Sequence, residues 1–179
     1  MILDRNENKE VAVLLGAGSM GMAILRRVAA GKKILLGGRR QCSLDKAAES
    51  LRYSGYDVVT FVVDAVDPVQ VKAFAEKAAS LGKVKLFIDT AGASPSQASP
   101  KEIIRLDLIG TAYALDIFGE VMDPGGAGII ISSMTGYMPN HLTAEDENAL
   151  ALTPTEKLAE LDCLAPEKIS NKIKNLLMG

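Results

Sequence analysis

The sequence predicts a three-layer α/β fold: a doubly wound parallel sheet of five strands in the order 3-2-1-4-5, with helices on both faces. Three observations carry this. The run Val11-Ala12-Val13-Leu14-Leu15 is apolar without alternation, as in a parallel strand buried on both faces. Further apolar runs alternate with segments whose apolar residues recur at helical spacing. Glycines at Gly16, Gly18 and Gly21 stand between the first strand and the first helix.

Each element has its own signal. After strand one, Met22 to Ala30 supply an apolar helical face, and Gly31 is placed to end it. Strand two is Lys33–Gly37. Ser43 is positioned to cap a helix carrying Leu44, Ala47, Ala48 and Leu51. Strand three is Val58–Val63, ending at Asp64. Asp67 then caps a helix with Pro68 at its first position and Gln70 reaching back. Val71, Phe74, Ala75, Ala78 and Leu81 form that helix's apolar face, and Gly82 stops it.

Strand four is Val84–Ile88, followed by a loop of small residues from Asp89 to Ser99. Ser99-Pro100-Lys101-Glu102 is a capping box opening a helix to about Gly119. A Pro-Gly-Gly turn leads into strand five, Gly128–Ser132. Beyond Ser133 the strand pattern stops. Thr143 opens a short acidic helix through Glu145-Asp146-Glu147, Thr153-Pro154-Thr155-Glu156 caps another with Leu158 and Leu161, and Pro166–Met178 forms a last helix with Ile169, Ile173, Leu176 and Leu177 on one face. We therefore read residues 1–179 as one domain: a motif-bearing core over 10–136 and a helical C-terminal segment over 137–179.

Composition narrows the function class. The 179 residues are 48% hydrophobic and 23% charged, with a formal net charge of -2. That balance, with no polybasic run and no Trp, argues against nucleic acid as a partner. No apolar run is long enough to span a bilayer, and Met1–Glu10 lacks the apolar core of a secretory signal. Cys42 and Cys163 make no metal-ligand pattern, and no metal site is expected. They read as free thiols, which points to the cytoplasm.

Ligands of an open parallel sheet bind beyond the carboxyl ends of its strands. A glycine turn between a strand and a helix is the dinucleotide fingerprint. Gly16 turns the chain off the strand, Gly18 lets backbone approach a pyrophosphate, and Gly21 lets helix pack on strand. The N–H groups of Ser19, Met20 and Gly21 then face the phosphates at the helix start. After strand two, where an NAD enzyme places an acid for the ribose 2′-hydroxyl, the chain offers Gly38-Arg39-Arg40. Two guanidinium groups suit the 2′-phosphate of NADP, with NAD as the second choice. The alternative is an exposed basic turn.

Asp64, followed by Ala65, is placed to accept a hydrogen bond from adenine, or else caps the strand end. Thr90-Ala91-Gly92 after Asp89 would let backbone pass close to ribose and nicotinamide, or is a plain turn. Ser133 would meet a substrate's reacting group, or is an ordinary strand-end serine. Ile103, Asp107, Gly110, Ala114 and Ile117 step by four, three, four and three, which puts a carboxylate on an apolar helix face or at its edge.

Taken together, these motifs resemble the short-chain dehydrogenase/reductase family across about residues 10–136, with its Rossmann-type fold. Gly16-Ala17-Gly18-Ser19-Met20-Gly21 is similar to its glycine turn, and Asp64 to its adenine-contacting acid. Asp89-Thr90-Ala91-Gly92 is similar to its Asn-Asn-Ala-Gly loop, with Ala91 and Gly92 kept. Leu106-Asp107-Leu108-Ile109-Gly110 is similar to its Asn-x-x-Gly motif, with Asp107 for asparagine. Ser133 is similar to its catalytic serine, and Arg39 lies where NADP-using members often carry a basic residue.

The apolar face of the last helix and the open sheet edge at strand five point to a homo-oligomer. The resemblance separately implies hydride transfer between nicotinamide and a carbonyl or alcohol carbon of a small molecule. It also implies a Tyr-x-x-x-Lys pair after the serine. None of Tyr53, Tyr56, Tyr113 and Tyr137 has Lys four positions on. The chain is accordingly read as a member cut off, or spliced by a deletion, just before that motif. Two other readings stay open: a nucleotide-binding module without catalysis, and an S-adenosylmethionine methyltransferase, disfavoured by Gly38-Arg39-Arg40 where a ribose-binding acid belongs.

Overall fold

The computed structural model describes residues 9–134, 142–165 and 168. Five strands form one sheet: β1 (Glu10–Leu15), β2 (Lys33–Gly38), β3 (Asp57–Val62), β4 (Lys83–Asp89) and β5 (Met122–Ile130). Every pairing is parallel, and the order is β3-β2-β1-β4-β5.

The layers follow from the alternation of side chains along β1. Val11, Val13 and Leu15 point into one core with Leu35, Phe74, Phe87 and Phe118, under helices α3 (Pro68–Leu81) and α5 (Thr111–Val121). Ala12 and Leu14 point into the other with Leu25, Ile34, Leu36 and Leu51, under α1 (Ser19–Val28) and α2 (Gln41–Tyr53). Both faces are covered, so the sequence of β1 cannot alternate. Phe118 stacks on Phe87 at 3.9 Å between ring centroids and meets Phe74 edge-on at 5.7 Å, locking α5 onto α3 and the sheet.

Several boundaries differ from the sequence reading. Helix α1 ends at Val28 rather than at Gly31, where φ is +75°. Ser43 does not cap α2: the helix begins at Gln41, and the Arg40 carbonyl already accepts from the Ser43 and Leu44 N–H groups. Asp67 does cap α3 through the Val69 and Gln70 N–H groups. Gln70 reaches back further than a capping box requires, its Oε1 accepting from the Asp64 N–H at 3.0 Å.

The helix opened by Ser99 is not uniform. It starts as α4 (Pro100–Ile103), continues as a π-helical stretch over Ile104–Gly110, and resumes as α5. Strand β5 starts earlier than expected. Met122 pairs with Val84 and Ala127 with Leu86, so Asp123 to Gly126 bulge out between them. Lys85 holds the bulge through the Pro124 carbonyl at 2.5 Å and the Asp123 carboxylate.

Past Ser133, Thr143 caps α6 (Ala144–Leu152) with a full capping box that includes Asp146. Thr153 caps no helix start; it is instead the C-cap of α6, its N–H donating to the Ala149 carbonyl at 3.0 Å. The following turn is a 3₁₀ helix, Thr155–Glu160, entered through Pro154, and a second spans Asp162–Leu164. The expected last helix, Pro166–Met178, falls almost wholly outside the described residues, as does Tyr137. No helix among the described residues is long and apolar enough to cross a membrane.

Candidate functional site

The carboxyl ends of β1, β2, β4 and β5 and the connection after β3 gather the sequence-selected residues at one end of the sheet. At its centre the chain leaves β1 through Gly16, whose φ of +90° is costly for any residue with a Cβ. A Cβ there would lie 2.5 Å from the Ala91 N. At Gly21 it would lie 2.6 Å from Thr90 Oγ1 and 2.7 Å from Leu14 Cδ1. At Gly18 it would meet nothing within 4 Å. Two glycines thus serve packing, and the middle one leaves the turn open. Gly18 is also the N-cap of α1, with no side-chain cap and no acid in the first turn. The Ser19 and Met20 side chains are exposed there.

Gly38 is half-buried at the end of β2, and Arg39 and Arg40 are exposed. The structure separates the two arginines. Arg40 is the N-cap residue of α2. Arg39 lines a cavity of about 390 Å³ together with Asp64, Gly92, Ala93, Glu102 and Arg105. Asp64 accepts from the Val66 N–H at 3.3 Å, forming a local turn beyond β3. Ala65 is buried, and its carbonyl sits where a Cβ on Gly110 would collide at 2.7 Å.

Strand β4 delivers the most unusual group. Asp89 is the buried charged residue of the described core, 3% exposed, in register with Leu15 and Ile130. Burial pushes its carboxyl up to about 6, the Ala91 N–H at 2.9 Å works the other way, and the Asp107 charge adds to the rise. Thr90 ties this loop to the glycine turn twice: its N–H donates to the Leu15 carbonyl at 2.9 Å, and its hydroxyl to the Gly16 carbonyl at 2.7 Å.

Asp107 is not enclosed among apolar side chains. It reaches the surface from the π-helical stretch, and its Oδ1 accepts from the Ala93 N–H at 3.0 Å. Partial burial raises its pKa, and that N–H opposes the rise. Gly110, Ala114 and Ile117 do face the core, so the helical stripe is real and Asp107 stands at its open end. Ser133 is exposed just past β5, three residues beyond Ile130.

Three residues gained a place that sequence reasoning had not assigned. Asp89 was visible as the first residue of a turn, but its burial depends on the neighbours of β4. Glu102 was visible as a capping residue. Arg105 carried no signal beyond its charge.

A parallel sheet in this order, with a glycine turn opening a helix after its central strand, is the frame of a dinucleotide-binding oxidoreductase. The chain belongs to the short chain dehydrogenase family, whose model matches residues 10–145. Members of that family are NAD(P)-dependent oxidoreductases, which sets the methyltransferase reading aside. The chain is similar to the short-chain dehydrogenase/reductase bsc3 of Alternaria brassicicola, 36% identical over 130 residues, 73% of this chain and 47% of that protein. It spans about half the length of the curated relatives it matches.

Among solved structures it shares its fold with a variant of actinorhodin polyketide ketoreductase solved with NADPH, at TM-score 0.62 and 21% identity over 80% of this chain and 60% of that one. It also shares it with a short chain dehydrogenase/reductase from Burkholderia phymatum solved with NAD, at TM-score 0.61 and 18% identity over 82% and 56%.

Proposed function

We propose that the chain is the nucleotide-binding part of a cytoplasmic, NADP-preferring short-chain dehydrogenase/reductase that moves hydride between nicotinamide and a carbonyl or alcohol carbon of a small molecule. The observation that carries the cofactor preference is Arg39. It leaves the end of β2 into a cavity bounded by Asp64 and the β4 loop. In this reading Gly16, Gly18, Ser19, Met20 and Gly21 hold the pyrophosphate, with the N–H groups of α1 directed at it. Gly38 and Arg39 receive the adenosine 2′-phosphate, and Arg40 adds charge from the α2 cap. Asp64 and Ala65 border the adenine, and Thr90, Ala91 and Gly92 border the nicotinamide ribose.

NADP supplies the hydride chemistry when bound. Ser133 hydrogen-bonds the substrate oxygen. Asp107 holds the Ala93 N–H and so fixes the loop on which the nicotinamide half would rest. The NADPH and NAD found in the two structural neighbours bracket the choice of cofactor. The free thiols of Cys42 and Cys163 support the cytoplasmic placement.

The test is a pair of titrations, NADPH and NADH, on the parent chain and on Arg39→Ala. A charge-assisted hydrogen bond contributes about 1.5–3 kcal/mol, so NADPH should bind more than tenfold tighter and the substitution should erase most of the difference. Equal dissociation constants in the parent would overturn the preference.

A further inference from the structure

The cavity that holds Arg39 is not simply basic. Arg39 and Arg105 share it with two acids, Asp64 and Glu102, so its formal charges balance. Of the four, Glu102 is the most firmly placed. Its Oε2 accepts from the Ser99 N–H at 2.8 Å and from the Ser99 hydroxyl at 2.7 Å, as the acidic half of the box that starts α4. Both bonds anchor the carboxylate on the cavity wall.

We propose that Glu102 is a second determinant of cofactor selectivity: a fixed carboxylate, sharing the cavity with Arg39, that opposes the 2′-phosphate and leaves room for a plain 2′-hydroxyl. The inference rests on the placement of the adenosine half given above.

Ser99 holds the Glu102 carboxyl below the ordinary carboxylate range, first through its hydroxyl and then through its N–H, and the Arg39 charge lowers it further. Glu102 is therefore ionised at neutral pH, and part of the Arg39 charge is offset before any cofactor arrives. A 2′-phosphate must take Arg39 while lying near a carboxylate that cannot swing away. A 2′-hydroxyl meets no such opposition, because a carboxylate accepts its hydrogen bond.

The experiment compares NADPH and NADH dissociation constants for the parent chain and for Glu102→Gln, with Ser99→Ala as a second variant that releases the carboxylate without removing its charge. Glutamine keeps the length and the acceptor of the capping box and removes the charge. E102Q should tighten NADPH about threefold to tenfold, less in high salt, with NADH within about twofold of the parent. S99A keeps the charge but frees the carboxylate from its hydroxyl partner, so the NADPH-to-NADH affinity ratio should move in the same direction as in E102Q and by less. Unchanged NADPH affinity in E102Q, or an equal gain for both cofactors, overturns the inference. The Arg39→Ala titration separates the two layers. If R39A weakens NADPH and E102Q does nothing, only the role of Glu102 falls. If R39A has no effect on NADPH, the placement of the phosphate falls with it.

Discussion

The Thr90 hydroxyl donates a 2.7 Å hydrogen bond to the Gly16 carbonyl, joining two loops 74 residues apart in the chain. That bond sets the distance between the glycine turn and the β4 loop, the two backbone segments that would flank a dinucleotide. Thr90→Val preserves the side chain's shape and removes the donor. Gly16 keeps its second partner, the Gly18 N–H at 2.8 Å. The cost should be about 1 kcal/mol of stability by urea denaturation, with weaker binding of both cofactors. Thr90→Ser should restore both.

Gly21 and Gly18, two of the three glycines of the turn, should separate by mutation. Gly21→Ala drives a Cβ into Thr90 Oγ1, Leu14 and the Gly16 carbonyl, an overpacking worth about 1–3 kcal/mol in a denaturation curve. Gly18→Ala meets open space and a backbone of φ -81° and ψ 178° that alanine adopts freely. Its stability should stay within about 0.5 kcal/mol of the parent, while NADPH affinity drops roughly tenfold or more because the new methyl stands where the pyrophosphate approaches. A G18A protein that binds as tightly as the parent would remove the phosphate from this turn.

Asp89 should give the stability a pH dependence of unusual sign. Its folded pKa, about 6, lies above its ordinary 3.8. Between those values the native state holds more protons than the unfolded chain, so this group's contribution falls as pH rises from about 4 to above 6. Asp89→Asn keeps an acceptor for the Ala91 N–H and has no charge to bury. It should stabilise the protein by about 1–3 kcal/mol at pH 7–8 and change little near pH 4. Thermal melts across that range provide the check.

Binding and turnover should come apart. None of the four tyrosines has a lysine four residues on, and general acid–base catalysis contributes about 10²–10⁴-fold. The 179-residue chain should bind NADPH yet reduce carbonyls at least ~100-fold more slowly than the same chain continued by a relative's Tyr-x-x-x-Lys segment. Equal rates would send the search for the acid to Asp107 and Tyr137.

Strand β5 lies at one edge of the sheet, and Ile131 just past it is 36% exposed. A parallel edge of this kind is normally covered. Light scattering should therefore find a homodimer or larger assembly, and a monomer at every practical concentration would refute it.

The amino-acid sequence by itself determined the strands, their order and most of the helix starts. Unalternating runs such as Val11–Leu15 can be buried only between two helical layers, and the boxes at Ser99 and Thr143 carry their partners within three residues. It also located the turn and loops that make up the candidate site. Tertiary structure alone decided how those residues meet. It made Arg39 a cavity wall and Arg40 a helix cap, although the two are neighbours in the chain. It set Glu102 beside Arg39, buried Asp89, and gave Asp107 the Ala93 N–H to hold. The physical reason is range. Capping and periodicity act within a turn or two of chain, whereas the burial of a carboxylate and the charges around it come from strands and loops tens of residues away.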